Sequence, residues 1–337
     1  MKIGIFDGCV LDISVDENTK FLGGSETWLN KISEAFSDLG HEVFLFVNTP
    51  VEHDYKNVHY LKKESFDKVC ASTEFDYFYY SRGIKGMDKV KCSNISLMMH
   101  DMGLFHYPGE SVNFGKLKHI FVLSNWHKTF MEMQYNIPKA SNFVKVTLNG
   151  IDMDLYKDVD MSKKTNSMVW SSCFERGLDF FIKLVYPRIK AEVPDFELKI
   201  CSYNKYDIDA PGIINLGRLT KPELAEVQKT AKIWCYPNLG ISAYGLAFKE
   251  TFCISAVENA AAGNCILTTS LGGMGTTCKG VNFLSSEFYD DSEMIDDMYS
   301  YAYYLTYMCV KALKEDYFTS FNYRKYTWEN AAKSLMN

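Results

Sequence analysis

The chain has 337 residues, 47% of them hydrophobic and 23% charged, which is long enough for two domains with their own cores and too apolar for disorder. Its formal net charge of −6 argues against a nucleic-acid-binding surface, so no nucleic acid is expected as a partner. Ten cysteines are scattered without a C-x-x-C pair, which excludes a zinc site of familiar spacing and fits free thiols in a reducing compartment.

At the start, Met1-Lys2 is followed by only a short apolar run that Asp7 interrupts, unlike the long apolar region of a signal peptide. No run reaches the ~20 residues that span a bilayer, so a soluble, cytoplasmic protein is expected. The first half alternates strand-like runs (3–6, 43–47, 77–80, 95–99, 119–123 and 143–147) with helical patterns at 27–39 and 126–135. Gly40 is well placed to end the first helix. A polar, strand-free linker covers 152–165. The second half repeats the logic with strands at 167–171, 197–201, 213–215, 233–236 and 265–268, and a helix at 178–192. This alternation predicts an α/β chain of two doubly wound domains. The tyrosine-rich run 298–310 is too short to span a membrane and predicts a buried helix, although peripheral membrane association stays open. Residues 326–337 form a short amphipathic helix.

Glu250 and Glu258 stand eight apart between a strand-like run at 231–237 and another at 265–269. That places Glu250 where a helix begins, over the carboxyl ends of the strands, where open α/β sheets bind ligands. Free backbone donors at 250–253 would suit a phosphate. Glu258 would lie two turns further in, about 12 Å along the axis. Spacing alone does not carry this, since Glu26 with Glu34 and Glu34 with Glu42 share it. Without the context, both would read as solvated helix carboxylates.

The segment Lys249-Glu250-Thr251-Phe252-Cys253, running on to Glu258, resembles the Glu-x7-Glu element of retaining GT-B glycosyltransferases of family 4. Four more elements are similar and fall in the family's order. They are the first strand at 2–8 with Gly23-Gly24-Ser25-Glu26-Thr27, then Ser124-Asn125-Trp126-His127, then Asn149-Gly150-Ile151-Asp152, then Ser171-Ser172-Cys173-Phe174-Glu175-Arg176-Gly177-Leu178. The resemblance implies two Rossmann-like domains facing across a cleft. An acceptor-side domain would span 1–155, a nucleotide-sugar domain 156–315, and a helix in 316–337 would cross back onto the first.

The resemblance further implies roles. Arg176 would hold the donor phosphates, Glu250 the hydroxyls of the donor sugar with Thr251, Phe252 and Cys253 beside it, and Glu258 the ribose hydroxyls. Gly23 and Gly24 would let a loop approach the diphosphate, and His100, at a strand end, would stand at the reaction centre with Glu250. Ser172, Arg218 and Lys249 are further donor-site candidates, with Lys205 another lysine of this kind. For Arg218, pairing with a surface carboxylate serves equally well. The family usually carries a second basic residue where this chain has Ser171 and Ser172. His100, His106 and His127 lack metal-ligand spacing, so no metal or cofactor is assigned. The implied partners are a nucleotide diphosphate sugar and a glycan or other hydroxyl acceptor. A nicotinamide enzyme is excluded because no G-x-G-x-x-G follows the first strand. A degenerate sugar-nucleotide- or glycan-binding scaffold and a GT-B epimerase stay as alternatives. Loops at 103–116 and 238–248 would choose acceptor and donor.

Overall fold

The computed structural model describes residues 1–9, 15, 22–104, 114–201, 208, 210–240, 248–279, 281, 297–315 and 320–337. Lys205, His106, and residues 105–113 and 241–247 of the two specificity loops lie outside them. The chain divides into two compact units, Met1–Gly150 with Tyr326–Asn337, and Ile151–Lys325. The division thus falls at 150/151 where the resemblance implies 155/156, and the returning segment begins at Tyr326.

In the first unit, β1 (Lys2–Asp7), α1 (Gly24–Asp38) and β2 (Glu42–Val47) open an α/β series. The series continues through β3 (His53–Tyr55), β4 (Val58–Lys62), α2 (Phe66–Ser72), β5 (Tyr77–Ser81), β6 (Ile95–Met98), β7 (His119–Val122), α3 (Asn125–Gln134) and β8 (Val144–Val146). The sheet order is β3-β4-β2-β1-β5-β6-β7-β8, and every pairing but β3 with β4 is parallel. Strands buried on both faces read as continuous apolar runs, which is why Val43 to Val47 and Ile95 to Met98 show little alternation. Phe6, Phe46, Phe66, Phe78 and Tyr80 form one core cluster. The C-terminal helix, Trp328–Met336, packs on α1. Its end is fixed by the Tyr79 hydroxyl, which donates to the Leu335 carbonyl at 2.9 Å, and by Thr147 against Ser334 at 2.6 Å.

The second unit holds β9 (Thr165–Trp170), then a helical stretch in three pieces: α4 (Leu178–Phe180), a π-turn (Phe181–Val185) and α5 (Tyr186–Glu192). Next come β10 (Glu197–Ile200), β11 (Ile213–Asn215), α6 (Lys221–Thr230), β12 (Ala231–Cys235), α7 (Ile254–Ala261), β13 (Cys265–Leu267), α8 (Met274–Thr277) and α9 (Met298–Lys314). Its sheet is wholly parallel, in the order β11-β10-β9-β12-β13. The tyrosine-rich helix α9 is buried on one side only. As expected, it packs on the second unit, with Tyr301, Leu305 and Cys309 facing the core, while Tyr299, Tyr303 and Tyr307 on its other side are exposed.

Candidate functional site

In each sheet the strand order reverses direction once, and the crevice beyond the strand ends at that point is where open α/β sheets bind ligands. In the second unit it lies between β9 and β12, and the chain leaving these strands is stiffly held. Trp170 Nε1 donates to the Ser172 carbonyl at 2.9 Å, and the Tyr236 N–H continues the ladder to Leu267 at 2.9 Å. The Tyr236 ring lies against Trp234 at 5.5 Å and Trp170 at 5.8 Å.

Around this frame gather Arg176, Tyr236, Phe248 and Glu250. The Tyr236 hydroxyl donates to Glu250 Oε1 at 2.9 Å, and Arg176 approaches the same oxygen at 3.4 Å. Arg176 ends a single 3-10 turn, Phe174–Arg176, and its guanidinium carbon lies 4.4 Å from the centroid of the Phe248 ring, a cation–π contact. Burial opposes the charge on Arg176, but the Glu250 carboxylate and its polar neighbours hold its pKa above the ordinary value. Burial, and after it the charge of Glu250, pushes the Tyr236 hydroxyl far up, so it remains a donor. Burial also raises the Cys253 thiol, again with Glu250 second.

The helix carrying Glu258 begins later than the pattern predicts. It starts at Ile254, and Glu250 lies in the turn before it, with Cys253 as N-cap at φ +72°. The donors at 250–253 are therefore not the first turn of a helix, and Glu258 is one turn into α7, not two. What shapes this turn is a glycine pair from after β13. The Gly273 N–H donates to the Glu250 carbonyl at 2.6 Å, and a Cβ on Gly273 would stand 2.2 Å from the Thr251 oxygen. Glu258 itself is buried and pairs with Lys221 Nζ at 2.6 Å. Lys221 is presented as the first residue of α6, whose start is closed by Glu223 accepting from the Thr220 N–H at 2.8 Å and its hydroxyl at 2.6 Å.

The structure thus joins Arg176 to Glu250, and adds Tyr236, Phe248 and Lys221, which the motif pattern does not single out. Phe252 is 2% exposed, with its side chain in the core. Thr251 and Lys249 are half-buried beside Glu250, and Arg218 is exposed in the bend between β11 and α6. The Ser171 hydroxyl is buried with no hydrogen bond from a described residue.

In the first unit the reversal lies between β1 and β5. Gly23 is the N-cap of α1 and Gly24 its first residue; a Cβ on Gly23 would stand 2.5 Å from Glu26 Oε2, so the glycine makes room for that buried carboxylate. Arg82, at φ +72° just beyond β5, ties three chain segments together. It donates to Asp101 Oδ2 at 2.7 Å, to the Ser25 hydroxyl at 3.0 Å and to Glu26 Oε1 at 3.3 Å. His100 follows β6 and meets the Trp28 ring edge-on at 4.9 Å. Burial first, then the charge of Arg82, lowers its pKa to about 3, so it is neutral. His127 is neutral as well, lowered by burial to about 4, with Nε2 3.2 Å from the Asp101 carbonyl. Among the described residues no group of three or more His, Cys, Asp or Glu is placed to hold a metal ion, and no helix is long and apolar enough to cross a membrane.

No protein-family model matches the sequence, and no curated protein does either. Solved structures do match over almost the whole chain. Sucrose-phosphate synthase from Thermosynechococcus elongatus is 12% identical, with 99% of this chain and 94% of that one covered at a TM-score of 0.66. AviGT4, a glycosyltransferase involved in avilamycin A biosynthesis, is 12% identical, with 99% and 96% covered at a TM-score of 0.64. Anabaena HepE, solved with UDP-glucose, is 14% identical, with 99% and 94% covered at a TM-score of 0.58. At such identities the likeness is one of fold, and with two doubly wound parallel sheets and a returning C-terminal helix the chain has the GT-B fold.

Proposed function

We propose that the protein is a glycosyltransferase that moves a sugar from a nucleotide diphosphate sugar to a hydroxyl of a glycan acceptor, with retained anomeric configuration and without a metal. The observation that carries this reading is the Arg176–Glu250–Tyr236 cluster at the β9/β12 reversal, with the Lys221–Glu258 pair on the adjoining helices. One guanidinium faces a site with a buried carboxylate that accepts hydroxyls, an arrangement suited to a phosphate joined to a sugar. Glu250 holds hydroxyls of the donor sugar, Glu258 those of the ribose, and Arg176 stabilises the charge that develops on the departing diphosphate. The acceptor oxygen bonds to the anomeric carbon as the bond to the phosphate oxygen breaks. The acceptor proton passes to the leaving phosphate, so no second carboxylate is needed. Neutral His100 belongs to the acceptor-side unit and donates or accepts a hydrogen bond there without a competing charge. HepE, solved with UDP-glucose, and AviGT4, a glycosyltransferase, support the donor class through fold.

The test is a thermal-shift and released-nucleotide screen against UDP-, GDP-, ADP- and dTDP-sugars, with and without EDTA, beside Glu250→Ala. Stabilisation by one donor group and slow donor hydrolysis, lost in Glu250→Ala and unchanged by EDTA, is the expected result. Binding without turnover in the presence of acceptor glycans would favour the scaffold reading, which the serines at 171 and 172 motivate. A protein that binds none of the panel is not a glycosyltransferase of this kind.

A further inference from the structure

The two oxygens of Glu250 are not equivalent. Both hydrogen bonds that its carboxylate accepts from described residues end on Oε1, one from Tyr236 at 2.9 Å and one from Arg176 at 3.4 Å. The second is long for a charge-assisted bond, which normally closes to about 2.7–2.9 Å. Tyr236 is the closer partner, and it has little freedom to leave. Its side chain is 2% exposed, its ring is nearly parallel to that of Trp234 at 16°, and its N–H is fixed to β13. The carbonyl of the next residue, Pro237, accepts from the buried Tyr301 hydroxyl. Arg176, by contrast, has its side chain 35% exposed.

A cation that serves an incoming phosphate must loosen its hold on a neighbouring carboxylate as it does so. Glu250 then needs a holder that is neutral and does not move. We propose that Tyr236 is this positioning residue: its hydroxyl fixes Oε1 whether or not Arg176 has turned to an anion, and so leaves Oε2 to accept a hydroxyl of the donor sugar. The proposal rests on the reading of Glu250 as the residue that holds the sugar. It makes Tyr236 a determinant of sugar affinity and not of nucleotide affinity.

The experiment is calorimetric titration of wild type, Tyr236→Phe, Glu250→Gln and the double variant. The probes are UDP, GDP, ADP and dTDP, each beside its glucose conjugate or, for GDP, its mannose conjugate. Wild type is expected to bind one sugar nucleotide more tightly than its parent diphosphate. Tyr236→Phe should lose about tenfold of that sugar-dependent gain, in line with a hydrogen bond to a charged group, while diphosphate affinity stays within about twofold. In the Glu250→Gln background the same change should do nothing further, because the two residues act as one unit. Tyr236→Met, which also lacks the hydroxyl but packs flexibly, should repeat the pattern. Equal weakening of diphosphate and sugar nucleotide, no weakening, or an effect that adds to Glu250→Gln would overturn the role of Tyr236. A wild type that binds no member of the panel would overturn the glycosyltransferase reading, and the proposal with it.

Discussion

Each unit has an arginine near the reversal of its sheet, Arg82 directly after β5 in the first and Arg176 in the 3-10 turn that follows β9 in the second, and the two are held in opposite ways. Arg82 has its side chain 11% exposed, adopts a left-handed backbone, and directs its donors to Asp101, Ser25 and Glu26. Arg176 has its side chain 35% exposed, makes one long contact to Glu250 and rests on an aromatic face. A guanidinium enclosed by carboxylates and hydroxyls of its own protein fastens the strand ends. One that keeps part of its fork open is placed to meet an anion. Under the proposed function, the same residue type serves the fold in one unit and the ligand in the other.

The widest break in that contrast comes from removing each arginine in turn. Arg82→Met leaves the buried carboxylate of Glu26 uncompensated, and loss of one partner of a buried pair costs about 3–5 kcal/mol. Because Asp101 is itself 42% exposed, the lower end, about 3 kcal/mol, is expected in urea denaturation. Arg176→Ala should leave the denaturation midpoint nearly unchanged and lower donor turnover by about 10²–10³-fold, the usual effect of deleting an electrostatic stabiliser of the transition state. If Arg82→Met is as stable as wild type while Arg176→Ala unfolds, the assignment of roles is reversed.

Acid separates the units next. All seven histidines fall within residues 1–150 and none within the second unit. His100 and His127 have folded pKa values lowered to about 3 and about 4 from an ordinary 6.5. As the pH falls below 6.5 the unfolded chain takes up protons that the folded unit refuses. Stability from these two groups is thus complete above 6.5 and is lost steadily as the pH drops towards their folded values. Between pH 6.5 and 5.5 the two together should cost about 2 kcal/mol. Hydrogen exchange at these two pH values should show protection falling in β1, β5, β6 and α3 while β9, β10 and β12 keep theirs. Equal loss in both units would show that the histidines do not control the response.

How much of this was legible in the chain follows from the range of the interactions. Strands buried on both faces announce themselves as short apolar runs, so β1, β2, β5 to β7, β10 and β12 are predicted within a residue or two. The edge pair β3 and β4 is not, because His53, Asp54 and Lys62 present no apolar run. Helix α6 carried a legible signal that the pattern reading passes over, Thr220 with Glu223 three residues on. The site was half legible. Arg176, Glu250 and Glu258 belong to local motifs. Tyr236 and Lys221 matter only through partners 14 and 37 residues away, and no local pattern encodes such a meeting. The start of α7 was misplaced by four residues because the left-handed Cys253 and the supporting Gly272-Gly273 pair act through tertiary contact.

A smaller effect sharpens the account of the first unit. The returning C-terminal helix is fastened in part by the Tyr79 hydroxyl on the Leu335 carbonyl. Tyr79→Phe keeps the ring, which stacks on Phe36 at 5.8 Å, and removes one buried hydrogen bond. A loss of about 1 kcal/mol is expected. Faster hydrogen exchange should be confined to residues 328–336 and their neighbours on α1.

The smallest effect lies on α9, where one helix carries tyrosines of both kinds. Tyr301 is buried and donates to the Pro237 carbonyl, whereas Tyr299, Tyr303 and Tyr307 are 71%, 72% and 57% exposed along a single stripe four residues apart. Tyr301→Phe strands that carbonyl and should cost about 1 kcal/mol, as Tyr79→Phe does. It should also perturb sugar binding, because Pro237 adjoins Tyr236. Tyr303→Ser removes a ring that little protein covers and should fall within about 0.5 kcal/mol of wild type. The pair measures burial against composition within one tyrosine-rich run. If Tyr303→Ser destabilises as much as Tyr301→Phe, the exposed stripe is covered in solution by something the isolated chain does not show.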